Sequence, residues 1–474
     1  MSGSIITKQK TQSKPKRKSG ITGTRTQKMK ENYDVIIVGT GAAGLYCALN
    51  LPERTNILMI TKQEADQSDS FLAQGGICML RGEDDYNDYF EDTMRAGHYE
   101  NDKKAVDLMI RSSNSIIRDL LQRNVTFART PDGELDFTRE GAHSQPRILF
   151  YEDITGKQIT QTLLEQARTR DNIEICEYMT MVDLISDDNI CGGVVIMDEQ
   201  NEVYPVHASN VVLACGGLGG LYKNSTNFPH IAGDGLGIAM KHQVVLEHLD
   251  YIQIHPTTLY SHKPGRRFLI SESVRGEGAR LYDKNMNRFV NELLPRDLLS
   301  QKIHEQMAKD GTDFVWEDLR TIPAETLRHH FPNIVEHCRE MGYDVFKECI
   351  PVVPAQHYFM GGVKVDYQSR SSMENLYVVG EAACNGVHGK NRLASNSLLE
   401  SLVFARRAAQ DMAEHDLKKA LPQNASEIAD YLASHVDFTP YQDIQTLAET
   451  YHHLATQAIT LGQNPEGRKE FLYV

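Results

Sequence analysis

Two short stretches of the chain carry side chains at spacings that chemistry can use. In FTREGAHSQPRIL, Phe137 to Leu149, one acid, Glu140, stands among three potential cations, Arg139, His143 and Arg147. An acid so placed can pair with Arg139 as an ordinary surface residue, or it can be kept for a cationic group of a ligand. In YDVIIVGTGAAGLYCALNL, Tyr33 to Leu51, Gly39, Gly41 and Gly44 follow an apolar run at GxGxxG spacing. Gly39 permits a tight turn and Gly41 lets a pyrophosphate approach the backbone at a helix N-terminus. Gly44 lets the helix that begins at Ala42 and Ala43 pack closely on the strand before it.

Such residues need a sheet to present them. Val35 to Val38 reads as a buried parallel strand and Ala42 to Leu51 as a helix. The second strand, NILMITK, ends at Thr61 and Lys62, where dinucleotide folds commonly place an acid for the adenosine ribose. Glu64 lies beyond the strand, so an ordinary NAD site is disfavoured. Further strands, VVLACGG (Val211 to Gly217) and NLYVVGEAA (Asn375 to Ala383), also stop at small residues, as strands delivering backbone to a cofactor do. Between them a polar segment rich in Arg and His, from about Asp250 to Tyr358, reads as an inserted second domain, and ligands commonly bind between domains. Past Gln410 the pattern turns helical: Leu447, Tyr451, Leu454, Ala458 and Leu461 share a face, and Asn424 with Glu427 fits a cap.

The net charge of −14 argues against a nucleic-acid partner, and an anionic ligand would require locally gathered cations. Eight scattered cysteines with no CxxC pair read as reduced thiols of a cytoplasmic protein, without a disulfide framework or a metal site. No apolar run approaches the ~18 residues of a membrane span. The first 30 residues hold nine Lys or Arg and no acid, so disorder is expected there, with a character that overlaps organelle transit peptides.

The stretch GEAACNGVHGKNRLASNSLLESLVFARRAA (Gly380 to Ala409), with AQGGI (Ala73 to Ile77) and HPT (His255 to Thr257), resembles the flavoprotein family of succinate dehydrogenase and fumarate reductase. The likeness runs from about Tyr33 to Ala409. It implies an α/β fold: a Rossmann-like FAD-binding domain with an inserted α+β capping domain and a C-terminal helical domain. The expected boundaries are a basic tail over 1–31, FAD-binding parts over 32–249 and 359–410, the cap over 250–358, and the helical domain over 411–474.

By the same resemblance Gly39, Gly41, Ala42, Ala43 and Gly44 hold the FAD pyrophosphate, and Lys62 lies near the adenosine end. Ser70, Gln74, Gly75 and Gly76 line the flavin, Gly216 and Asp234 add cofactor contacts, Glu381 binds ribityl or ribose hydroxyls, and Asn396, Ser397 and Leu398 meet the ring. Asp69 stands five residues before Gln74, where relatives attach the flavin to His, so non-covalent FAD is expected.

On the substrate side the resemblance puts His255, His357 and Arg392 at the carboxylates of a C4 dicarboxylate, with Ser271 and Glu272 of FLISESVRGEGA in the pocket. Arg392 suits a planar, bidentate clamp that Lys could not reproduce. Arg296, in NELLPRDLL, matches the family's proton donor or acceptor, a role that its high pKa permits only in a dry, cationic setting. Gln301 and Phe150 depart from the family pattern, where Arg and His are common. Each residue also has a plainer reading: structural histidines, an Arg296–Asp297 ion pair, a helix-capping Arg392.

Glu140 is the residue expected to separate the substrates. Succinate and fumarate carry only negative groups, whereas aspartate adds an α-ammonium that a carboxylate would hold. The expected reaction is FAD-dependent oxidation of L-aspartate to iminosuccinate, as the first step of NAD formation. Oxygen or fumarate would be the acceptor, the product would pass to quinolinate synthase, and no membrane partner is expected. A fumarate reductase or succinate dehydrogenase flavoprotein subunit is the alternative, and a protein using FAD only structurally is a more distant one.

Overall fold

The computed structural model describes residues 32–263, 265–415, 441 and 444–462. The basic tail and the Asn424/Glu427 cap of the sequence reading lie outside them.

The main sheet grows around the first strand. Strand β1 (Asn32–Val38) pairs in parallel with β2 (Ile57–Thr61), and β2 with β5 (Ile173–Glu177). On its other side β1 pairs in parallel with β8 (Val203–Leu213), whose last residues also pair with β15 (Leu376–Val378). The first half of β8 instead carries an antiparallel meander, β7 (Ile190–Met197) and then β6 (Thr180–Asp187). Val35, Ile36, Ile37, Val211, Val212 and Val378 are all fully buried, as expected for strands covered on both faces.

Helix α1 (Ala42–Asn50) lies against β1 because Gly44 stands where a Cβ would strike the Gly39 carbonyl. Around it pack α3 (Lys103–Gln122), α4 (Thr155–Arg168) and α10 (Asn396–Glu414), forming the largest core. Helix α3 shows why: Ala105, Val106, Met109, Ile110, Ser113, Ile116, Ile117 and Leu120 are buried at helical spacing, and the Asp102 side chain caps Lys104 and Ala105 N–H groups.

A second sheet has its own core, running from Leu259 to Val352. Its order is β10 (Ile252–Leu259), β13 (Ile350–Phe359), β12 (Val315–Asp318), β11 (Arg280–Tyr282), and it is antiparallel throughout. The β10–β13 pairing slips twice, between Gln253 and Ile254 and between His255 and Thr258. Bulges of this kind re-aim side chains, and here they act on Gln253 and His255. Helices α6 (Glu272–Gly276), α7 (Arg296–Asp310), α8 (Ala324–His330) and α9 (Pro332–Glu340) complete this unit. Two small sheets, β3 (Ile77–Cys78) with β4 (Ile148–Leu149), and β16 (Ala383–Cys384) with β14 (Gly362–Lys364) and β9 (Leu246–Glu247), tie loops near the main sheet.

Helix α2 (Tyr86–Ala96) packs on α3, α5 (Asp234–Lys241) comes after β8 in the chain, and α11 (Ile444–Gly462) packs on α5. The buried face of α11 is Tyr451, Ala455 and Ile459, with Leu447 and Leu454 half-buried; it is rotated from the stripe expected from the sequence toward the small Ala455. The side chains of Ala458 and Leu461 fall outside the described set. No described helix is long and apolar enough to cross a membrane.

The turn after β1 gives a direct test. Gly39 has φ +114°, and a Cβ there would run into the Ala214 carbonyl. Gly39→Ala is expected to destabilise the protein by on the order of 3 kcal/mol through strain and overlap. Chemical denaturation measures this, and an unchanged midpoint would contradict the packing.

Candidate active site

One elongated cavity runs from the turn after β1 to the second sheet. Of the expected cofactor residues, Gly39, Gly41, Ala43, Lys62, Ser70, Gln74, Gly75, Gly76, Gly216, Asp234, Glu381, Ser397 and Leu398 line it. Ala42 instead donates its N–H to Ser70 Oγ at 3.1 Å, and Gly44 serves helix packing. Asn396 is turned away: its Oδ1 accepts from the Tyr89 hydroxyl at 2.7 Å and its Nδ2 donates to Thr93 Oγ1 at 3.2 Å. Ser395 and Ser401 take cavity positions in its stead.

Several features fit a long, polar cofactor. Gln74 Oε1 and Ser68 Oγ are buried with no protein partner. Gly41 leaves open a space in which a Cβ would lie 3.2 Å from Ser70 Oγ. Glu381 accepts from the Phe359 N–H at 2.9 Å, and burial pushes its carboxyl up to about 8; hydroxyl donors from a ligand would relieve that burial. Asp69 is committed to protein: it accepts from Asn227 Nδ2 at 2.7 Å and the Phe228 N–H at 2.9 Å, and burial raises it to about 7.

At the far end the cavity gathers all seven residues of the substrate set, Glu140, His255, Ser271, Glu272, Arg296, His357 and Arg392. Arg296, in the first turn of α7, donates from Nε to Glu272 Oε2 at 2.6 Å and from Nη1 to Gln253 Oε1 at 3.0 Å. Its neighbour Asp297 is not its partner and pairs with His98 at 2.9 Å. Arg392 donates from Nε to the same Gln253 oxygen at 3.2 Å and from Nη1 to Ser397 Oγ at 2.6 Å, with its guanidinium 4.5 Å from the Tyr358 ring centre. Burial and then Arg296 lower the Arg392 group to about 10.

The two histidines are held as neutral imidazoles. His255 and His357 meet edge to face at 5.1 Å, and both are pushed well below the usual histidine range, first by burial and next by Arg296. His357 Nδ1 is bonded to Thr226 Oγ1 at 2.7 Å, while His255 Nε2 is buried without a protein partner. Glu272 is penalised by burial, yet Arg296 and Arg275 outweigh it and hold the carboxyl below its ordinary value.

Glu140 is 3 % exposed and is no surface acid. Its Oε1 accepts from Ser273 Oγ at 2.7 Å and its Oε2 from Ser395 Oγ at 2.6 Å. Burial, then the charge of Glu272, raise its carboxyl above the usual range. The neighbouring cations do not neutralise it. Arg139 is exposed, while Arg147 is fully buried and bound to Asp85 and Asp92, each at 2.7 Å. His143 bridges Arg147 Nη1 at 3.0 Å and the Ala394 carbonyl at 3.0 Å, so both hold the loop rather than reach a ligand.

Sequence reasoning missed Gln253, Ser273, Arg275 and Ser395. Gln253 lies two residues before His255 on the same strand, a spacing that could have flagged it. Gln301 is exposed and bonded to Glu305 at 2.9 Å, and Phe150 is buried against His330, so neither departure reaches the cavity.

The FAD binding domain family matches residues 34–398. The chain is 48% identical to an L-aspartate oxidase of Clostridium perfringens (strain 13 / Type A), over 81% of this chain and 87% of that protein. It is 46% identical to an L-aspartate oxidase of Clostridium acetobutylicum, over 81% and 88%. Among solved structures it is similar to a quinol-fumarate reductase with menaquinol, with a TM-score of 0.79 and 31% identity over 85% of this chain and 74% of that one.

The buried acids make stability depend on pH. Asp69, Glu317 and Glu400 are each pushed up to about 7 and Glu381 to about 8, with burial the first cause in every case. A carboxyl that binds its proton more tightly folded than unfolded favours folding below the unfolded value, near 4, and loses that contribution as pH rises through the folded value. Buried histidines shifted downward act in the opposite sense, mostly below about pH 6.5 and with a diminishing share above it. FAD-free protein is therefore expected to melt at a lower temperature at pH 8 than at pH 6.5, a gap that FAD should narrow. A melting temperature that stays flat or rises across this window contradicts the assignment.

Proposed function

The chain belongs to the L-aspartate oxidases, and from that premise we propose how its side chains divide the work of oxidising L-aspartate. The reaction is FAD-dependent: a hydride equivalent leaves Cα and a proton leaves the ammonium nitrogen, so that a C=N bond forms and iminosuccinate results. Bound along the cavity, FAD supplies the acceptor for that hydride equivalent.

Gly39, Gly41, Ala43 and the N-terminus of α1 hold the pyrophosphate, and Lys62 with Asp234 hold the adenosine half. Glu381 receives ribityl or ribose hydroxyls, while Ser70, Gln74, Gly75, Gly76, Ser397 and Leu398 border the ring. Binding is non-covalent, with Asp69 engaged by Asn227 and Phe228.

Arg392 and the two neutral histidines bind the carboxylates, and Ser271 adds a hydroxyl donor. Neutral imidazoles suit this work, since they add hydrogen-bond donors without crowding further charge beside the two arginines. Arg296 moves the proton, with Glu272 at its Nε and Arg275 behind, where Nη2 of Arg275 lies 3.9 Å from Glu272 Oε2. The second sheet, with its own core, acts as the cap over 250–358 and excludes water from these charges.

Glu140 carries this reading. It is the acid whose two oxygens are steadied by serine hydroxyls at the end of a cavity otherwise equipped for anions, and it suits the α-ammonium that distinguishes aspartate from succinate. Oxygen or fumarate serves the second half of the cycle, and fumarate uses the same anion-binding residues without need of Glu140. The product is an unstable imine, released in the cytoplasm and taken by diffusion to quinolinate synthase, the next enzyme of NAD formation.

Anaerobic mixing of the yellow protein with L-aspartate, and separately with succinate, tests the reading: aspartate alone is expected to bleach the flavin band. Glu140→Gln should lose about 100-fold in kcat/KM for aspartate, within the 2–5 kcal/mol of a broken buried charge pair, while fumarate reduction persists. Bleaching by succinate alone, or loss of both activities with FAD still bound, would overturn it.

A further inference from the structure

At the end of the cavity remote from Glu140, Lys62 forms an ion pair with Asp234 Oδ2 and donates to the His230 carbonyl at 3.2 Å. The other oxygen of Asp234 is not left to solvent. His452, from α11, reaches Oδ1 with its Nε2 at 3.0 Å.

That reach depends on how closely two helices approach. Gly233 and Gly237 stand four residues apart at and after the start of α5, and both face α11. A Cβ on Gly237 would lie 2.7 Å from Tyr451 Cβ, and one on Gly233 3.6 Å from Ala455 Cβ. Tyr451 and Ala455 are themselves four apart and buried, so the bare backbone of Gly237 admits one turn of α11, with Ala455 in ordinary contact range of the N-cap Gly233. The Tyr451 hydroxyl locks the docking by donating to the Val182 carbonyl at 3.0 Å. Gly233, Asp234 and Gly235, which begin α5, all line the cavity. The helix that binds α11 is therefore the helix that offers backbone and a carboxylate to the ligand.

We infer that α11 is a cofactor clamp, and that His452 is a positioning residue which fixes the Asp234 carboxylate beside Lys62 and so sets the affinity for the adenosine diphosphate half of FAD. A carboxylate with one oxygen on an ammonium and no second anchor can rotate to present both oxygens to that cation. It then neutralises the charge meant for the ligand and withdraws its acceptors from ribose hydroxyls. His452 prevents the rotation from outside the cavity.

The inference rests on assigning the Lys62 end to the adenosine half, and the test separates the two. FAD-free full-length protein would be titrated with FAD by flavin fluorescence, with ADP as competitor, for the parent, His452→Ala and His452→Gln. The Ala variant should bind FAD and ADP more weakly by the same factor, roughly fivefold for one lost hydrogen bond, and Gln, which keeps a donor, should restore most of it. The thermal unfolding of the FAD-free protein should be unchanged across the three. FAD and ADP affinities that stay within about twofold of the parent in the Ala variant overturn the clamp. So does weaker FAD binding with unaltered ADP binding, which would move the effect to another part of the cofactor. Failure of ADP to displace FAD from the parent protein would overturn the adenosine assignment first and the clamp with it.

Discussion

Two guanidinium groups sharing one amide oxygen set the terms for everything around them. Arg296 and Arg392 both donate to Gln253 Oε1 inside a buried cavity, where their charges repel with little water to screen them. Glu272 compensates Arg296, and Ser397 and the Tyr358 ring face steady Arg392. No single unit of the fold supplies this arrangement. Gln253 comes from a bulged strand of the second sheet, Arg296 from the first turn of α7, and Arg392 from the loop before α10. The second sheet must therefore sit where it does for the arginines to coexist.

The same constraint explains the placing of the acids. A free carboxylate beside two arginines would fold onto them, and Glu140 is kept from doing so by two serine hydroxyls from opposite sides. Its loop is anchored by Arg147, itself saturated by Asp85 and Asp92 with no exposed surface. A buried ionic group of this kind is weak evidence of stability but sets geometry well. It holds the loop by charges that the cavity never meets.

What could be read from the sequence follows from how local each feature is. The turn at Gly39 and Gly41 is written in consecutive residues, and the comparisons bear out the L-aspartate oxidase reading and the FAD cofactor. Arg296, Arg392 and the histidines stand inside motifs, which is why the sequence singles them out, and the structure brings them together in one cavity. Gln253 and Ser273 were not found, since nothing in a lone Gln or Ser tells that its partner lies 139 or 133 positions away. Asn396 was placed at the ring with Ser397, yet its amide is taken up by Tyr89 and Thr93 of α2, partners that nothing in the local sequence announces. The docking of α11 was legible only as an apolar stripe, and its true face depends on Gly237 of another helix.

Ser395 joins distant parts of the chain through one oxygen. Held at φ 62°, it accepts from the Gly76 N–H at 3.1 Å and donates to Glu140 at 2.6 Å. A hydroxyl that donates strongly becomes a better acceptor, so whatever alters the charge on Glu140 alters the grip on the Gly75–Gly76 segment. The acid at one end of the cavity and the Gly75–Gly76 turn are thus bound to one another by a single serine, and neither can shift without the other feeling it.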